Sequence, residues 1–171
     1  MILGMAPGAH GGNRTGRPFT GDGGGHALFQ SLYDTGFSTQ AESHHIDDGL
    51  RLKDVYISNA VKCCPPKNKP VAAEYEECKP FLEQEIKRLQ QLQVIVALGG
   101  EAFAQMKKYY KSLGKDISKV AFAHNASYFT DTPTLPTLVG CYHPSQYNLN
   151  TKRLTPKMLR DILYEVKEKI K

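Results

Sequence analysis

Five consecutive apolar residues, Val94-Ile95-Val96-Ala97-Leu98, run straight into Gly99-Gly100, and helical spacing then resumes through Phe103, Met106 and Tyr110. A short run of strand formers ended by glycines and followed by a helix is a strand-turn-helix unit. The same grammar recurs along the chain. Met1-Ile2-Leu3-Gly4 reads as the end of a buried strand, Val55–Val61 as a strand stopped at Cys63-Cys64-Pro65-Pro66, and Leu135–Cys141 as a further short strand. Helical patterns fall at Ala27–Tyr33, Glu101–Ser112 and Pro156–Ile170. Ala72–Leu92 is also helical, but Pro80 lacks an N–H and crowds the preceding turn, so two helices or a kink near Lys79 are expected. Four strands alternating with helices predict an α/β fold, a three-layer α/β/α sandwich around a central, mainly parallel four-stranded sheet. In such sheets ligands bind where strand carboxyl ends meet loops.

The length of 171 residues suits one domain covering 1–171. Lys and Arg number 22 against 17 Asp and Glu, a net +5 that permits an anionic partner without requiring one. No apolar stretch approaches the roughly 20 residues of a membrane-spanning helix, and no signal peptide is evident, so a cytoplasmic protein is expected. The four cysteines, 63, 64, 78 and 141, are too few and too unevenly spaced for a secreted disulfide framework. They suit a reduced compartment, either as metal ligands or as inert buried thiols.

Gly8 to Gly25 holds eight of the fifteen glycines, together with Asn13, Arg14, Arg17, Pro18 and Asp22. It is too polar for a core and too rich in charge for a plain linker, so it reads as a functional loop. The phosphate-loop patterns G-x-G-x-x-G and Walker lysine are both missing, which weakens a nucleotide-cofactor reading.

The segment from Gly4 through Met5, Ala6, Pro7, Gly8, Ala9 and His10 to Asp22 resembles the first motif of the uracil-DNA glycosylase superfamily, and most closely its UDGb branch, the fifth family. The resemblance continues through Ser58-Asn59-Ala60-Val61-Lys62-Cys63, Pro65–Pro70, Cys78-Lys79-Pro80-Phe81-Leu82 and Tyr142-His143-Pro144-Ser145-Gln146-Tyr147-Asn148, and so spans nearly the whole chain. It implies a DNA repair enzyme that flips uracil, or another deaminated base, out of DNA and hydrolyses its N-glycosidic bond to leave an abasic site. A non-catalytic damaged-DNA-binding module on the same fold is the alternative, and a nucleotide-binding α/β protein a third.

Breaking a glycosidic bond builds positive charge on the sugar and negative charge on the departing base, so a carboxylate and hydrogen-bond donors are needed close by. Asp22, Asn59 and His143 lie in matched motifs and supply these types. Asp22 is expected to orient water and stabilise the sugar cation, Asn59 to bind the base edge, and His143 to donate toward the uracil O2. Related branches carry a polar or acidic residue where this chain has Met5, so the water-handling role passes to Asp22. Gly4, Met5, Ala6, Gly8, His10 and Phe19 complete the expected base pocket, with Phe19 as the stacking platform. Taken singly, an Asp in a glycine-rich turn is usually a turn former, a loop His is usually solvated, and an aromatic is as readily core.

Arg14, Arg17, Ser145, Gln146, Tyr147, Asn148 and Arg153 are expected to face DNA, with Tyr147 or Leu149 filling the gap left by the flipped nucleotide. An ordinary exposed loop would look similar. Cys63 and Cys78 match two of the four ligands of the branch's 4Fe-4S cluster. The resemblance puts the other pair in a short Cys motif ahead of the first strand, so either the chain is N-terminally truncated, the preferred expectation because its first strand also reads as cut, or the cluster is lost and Cys63 and Cys78 are free thiols. Cys64 and Cys141 are expected to be structural, and the protein to act as a monomer.

Overall fold

The computed structural model describes residues 1–128 and 135–170. Its sheet is built from β1 (Ile2–Gly4), β2 (Ile57–Asn59), β3 (Val94–Leu98), β4 (Ser127–Tyr128) and β5 (Thr137–Cys141), in the order β2-β1-β3-β5-β4. The first four in that order run parallel, and β4 pairs antiparallel with β5. The four expected strands are therefore all present, and the sheet has a fifth. Ser127–Tyr128 is only two residues long, too short for any period-2 signal to stand out.

Alternation along each strand divides the core. Ile2, Val94, Val96, Leu98, Val139 and Cys141 join a cluster with α2 (Gly25–Asp34) and α6 (Pro156–Lys169). Leu3, Ile95, Ala97 and Leu138 join a second cluster with α3 (Ala72–Arg88) and α4 (Gly100–Ser112). Successive strand residues point to opposite faces, so two apolar helix layers on one sheet give the three-layer α/β/α sandwich. Both faces are dry, which is why the five-residue run of β3 carries no polar residue.

Two local expectations need correction. α3 is one continuous helix across Pro80, which overturns the two-helix alternative. Pro80 is exposed, so the Glu76 carbonyl that it leaves without an intrahelical donor faces water, while buried Tyr75, Leu82 and Ile86 hold the helix on both sides. The stretch after β5, read as a loop over Tyr142–Thr155, contains a short helix, α5 (Gln146–Asn150), capped by Ser145 Oγ accepting from the Asn148 N–H at 3.3 Å. A further short helix, α1 (Gly12–Thr15), sits inside the glycine-rich loop.

Because Pro80 withholds one backbone bond at a solvent-facing position, Pro80→Ala is expected to restore it and stabilise the fold by about 1–3 kcal/mol. Urea unfolding of the two proteins checks this. No change, or a loss, would mean that α3 is bent to fit Pro80.

Candidate active site at the strand carboxyl ends

Parallel pairing puts the carboxyl ends of β1, β2, β3 and β5 on one edge, and the residues singled out from the sequence follow three of those ends. Gly4 closes β1 and stands in register with Asn59, which closes β2. A Cβ on Gly4 would lie 2.4 Å from Asn59 Oδ1 and 2.7 Å from Phe19 Cζ, so only glycine lets these two side chains cross the strand end. Asn59 is 6% exposed, and its Oδ1 is buried with no hydrogen-bond partner among the described residues. An amide oxygen left in that state costs about 1–3 kcal/mol, which marks a place where a donor from outside is wanted.

Phe19, 5% exposed, adopts a left-handed backbone (φ 66°), and its ring lies 5.9 Å from that of His143. It belongs to the core on one side, as the core reading has it, and abuts Gly4 and His143 on the other. His143 follows β5. Its carbonyl accepts from the Ser145 N–H and from Asn148 Nδ2, each at 2.8 Å, and burial lowers the pKa of its imidazole. The ring is therefore neutral at neutral pH and keeps one N–H donor.

Asp22 sits against the backbone of the glycine-rich loop, where a Cβ on Gly11 would fall 1.8 Å from its Oδ1 and one on Gly8 2.2 Å. Burial raises its pKa, and a hydrogen bond from the Gly12 N–H opposes that rise. Gly24, at the start of α2, approaches the Pro144 carbonyl so closely that a Cβ there would lie 1.6 Å from it. The Asp22 loop and the His143 loop are thus packed backbone to backbone. Met5 and Ala6 are half-buried against the second core cluster, Gly8 is half-buried, and His10 is exposed.

The outer residues divide more sharply. Tyr147 is 71% exposed and Gln146 is exposed, with its amide bonded to Asn150. Leu149 instead packs against the core. Ser145 and Asn148 spend their polar groups shaping the loop. Arg14 is exposed and donates to the His10 carbonyl. The guanidinium of Arg153 lies 4.7 Å from the centroid of the Tyr142 ring, which also stacks on His124 and packs against Phe122.

Arg17 is a correction. Its guanidinium makes a two-pronged bond to Asp48, both contacts at 2.9 Å, and also donates to Ser43 Oγ and the Ile46 carbonyl. With 12% and 5% of the two side chains exposed, this is an internal clamp and not a group free for phosphate. The Arg17 guanidinium holds the Asp48 carboxyl well below the usual carboxylate range, helped by the N–H groups of His44, Leu50 and His45. Sequence reading missed Asp48 because a lone acid in a polar turn carries no mark of its partner 31 positions away.

The four cysteines are all free thiols. Cys63 is exposed; Cys78 is half-buried and accepts the Lys62 N–H at 3.3 Å. Cys141 is buried and its thiol is pushed up to about 12, which fits an inert structural role. Among the described residues no group of three or more His, Cys, Asp or Glu is placed to hold a metal ion. Among them, too, no helix is long and apolar enough to cross a membrane.

Residues 1–167 match the family model described as the uracil DNA glycosylase superfamily. A type-5 uracil-DNA glycosylase of Thermus thermophilus is 42% identical over 167 residues, 98% of this chain and 74% of that protein. The Mycobacterium bovis type-5 protein is 42% identical over 98% of this chain and 62% of its own length. A type-4 uracil-DNA glycosylase of Sulfurisphaera tokodaii is 28% identical over 95% of the chain and 67% of its length.

The Arg17–Asp48 clamp gives a pH signature. A carboxyl whose folded pKa is depressed stabilises the fold above its unfolded value of 3.8, and that contribution is lost as pH falls toward the folded value. Asp48→Asn should therefore melt well below the wild type at about pH 6, with the gap narrowing toward about pH 2.5. Thermal melts across that range check it; a gap independent of pH would show that the ion pair is not what the substitution removed.

Proposed function

The chain belongs to the uracil DNA glycosylase superfamily, and from that premise we propose that it hydrolyses the N-glycosidic bond of uracil in DNA, leaving an abasic site. The 42% identity to type-5 relatives supports the UDGb branch within it. The observation that carries the reading is the buried, unpartnered Oδ1 of Asn59, set beside Phe19 at the mouth of the strand edge. Uracil presents an N3–H donor between two carbonyls, which matches an amide offering Oδ1 to the N–H and Nδ2 to the O4. Cytosine has a bare N3 and an amino group there, so the same amide meets an acceptor with an acceptor and a donor with a donor. Deaminated purines carry an N–H beside a carbonyl as uracil does, which leaves room for them as substrates.

The reaction then follows from charge. As the bond stretches, the sugar becomes cationic and the base anionic. Asp22, in its ionised form, stabilises the cation and orients the attacking water; burial raises its pKa and the Gly12 N–H opposes that rise. Neutral His143 donates its N–H to O2 as negative charge gathers there. Phe19 stacks on the extruded ring. Water is the nucleophile: the Lys62 ammonium, the nearest amine along the chain to Asn59, is held by Glu85, Ser58 and the Asn59 carbonyl, so it is not free to form an imine.

Outside the pocket, exposed Arg14 and Gln146 suit backbone contacts. Tyr147, the more exposed of the two residues expected to fill the gap, suits the space left by the flipped nucleotide. Cys63 and Cys78 fit half the donor set of a 4Fe-4S cluster, with the Lys62 N–H bond to Cys78 of the kind that steadies a thiolate. When bound, such a cluster would brace the segment between β2 and α3. Iron analysis should find less metal on Cys63→Ser and Cys78→Ser than on the wild type; equal iron would remove this assignment.

Incubation with uracil-containing duplex, followed by alkali cleavage of abasic sites, tests the activity. Asp22→Asn and His143→Ala are each expected to lower kcat by about 10²–10⁴. Below neutrality the wild-type rate should fall as Asp22 protonates, with its midpoint above the ordinary carboxylate range. Intact DNA with the wild type would leave a binder of damaged DNA on the same fold.

A further inference from the structure

The groups that hold Asn59 in place lie outside the pocket. Lys62 Nζ donates to the Asn59 carbonyl at 2.8 Å, to Ser58 Oγ at 2.8 Å and to Glu85 Oε2 at 2.6 Å, and Ser58 Oγ donates to the same Glu85 oxygen at 2.7 Å. The two charges are one-quarter exposed, at 24% each, and close a ring between the end of β2 and helix α3. The backbone N–H of Lys62 also reaches α3, through Cys78 Sγ at 3.3 Å.

The peptide that joins Asn59 to Ala60 is thereby fixed at both ends. Its carbonyl takes the Lys62 ammonium, and its N–H donates to the Gly4 carbonyl at 2.9 Å. A side-chain amide that reads a base edge must keep its plane and its oxygen aimed within a few tenths of an ångström, and for a residue at a strand end the backbone peptide sets that aim. Oδ1 itself has no partner to orient it among the described residues, so the orientation comes from the backbone side.

We propose that Lys62, braced by Glu85, is a positioning residue for base recognition: it holds the Asn59 peptide so that the unpartnered amide faces the flipped base. This rests on the reading of Asn59 as the base reader. The two charges of the ring offset each other, and Ser58 and Asn59, consecutive in β2, point to opposite faces of the sheet, so the ring acts through geometry and not through the field on the base.

Three quantities separate the roles: kcat/KM for uracil excision, affinity for a duplex that already contains an abasic site, and melting temperature. Lys62→Met keeps the aliphatic stem and removes the donor. It is expected to lower kcat/KM by about tenfold or more while abasic-duplex affinity stays within about twofold. Lys62→Arg, which can still bridge a carbonyl and a carboxylate, should recover most of the loss. Should the unpaired Glu85 unfold the single variant, Lys62→Met with Glu85→Gln removes both charges and should show the same selective loss in a folded protein.

Unchanged kcat/KM in either form, or a loss that tracks abasic-duplex affinity and melting temperature together, overturns the proposal. Asn59→Ala separates the two levels. If it leaves excision intact, the base-reader assignment itself is wrong; if it abolishes excision while Lys62→Met does not impair it, only the positioning role fails.

Discussion

The register that sets Gly4 opposite Asn59 controls the geometry of the whole strand edge. Strand side chains alternate between faces, so a slip of one residue between β1 and β2 would turn Asn59 into a helix layer and bring an apolar neighbour to the edge. The same register lets Phe19 lie over Gly4, and Phe19 in turn meets His143 from the far side of the sheet. Three segments separated by dozens of residues are thus brought together by hydrogen bonds that involve none of the functional side chains.

What the sequence disclosed followed from how regular each signal was. Val94–Leu98 was legible because a dry strand between two helix layers must be apolar throughout, and Pro156–Lys169 because one of its faces is. Pro80 misled because the rule against interior proline prices a lost hydrogen bond as if it were buried, and here it faces water. The α5 turn was hidden by its brevity: five residues give too little periodicity, and the Ser145 cap is one serine among several loop polars.

The residues at the strand edge were legible as types; the partners that hold them were not. Asp22, Asn59 and His143 stand out through motif resemblance, whereas Asp48 and Glu85 are ordinary acids until the fold puts cations against them. Arg17 shows the cost of reading charge without geometry. An arginine in a glycine-rich loop suggests phosphate, yet its planar fork is already matched by one carboxylate, and the loop carrying Ser43, Ile46 and Asp48 closes over it. Each ion pair ties a segment that carries an expected site residue to another element, Arg17 to the loop that holds Asp48 and Lys62 to helix α3.

The unpartnered oxygen of Asn59 also bears on how this protein would behave under selection in the laboratory. A buried acceptor with no donor among the described residues is a penalty on the fold, and an apolar side chain of similar volume at position 59 would relieve it. A library ranked only by resistance to heat would therefore enrich such replacements and, on the reading of Asn59 as the base reader, lose its ligand in the same step. Ranking in the presence of a small molecule that presents an N–H between two carbonyls would reverse the pressure, because a donor bound to Oδ1 stabilises only the folded protein.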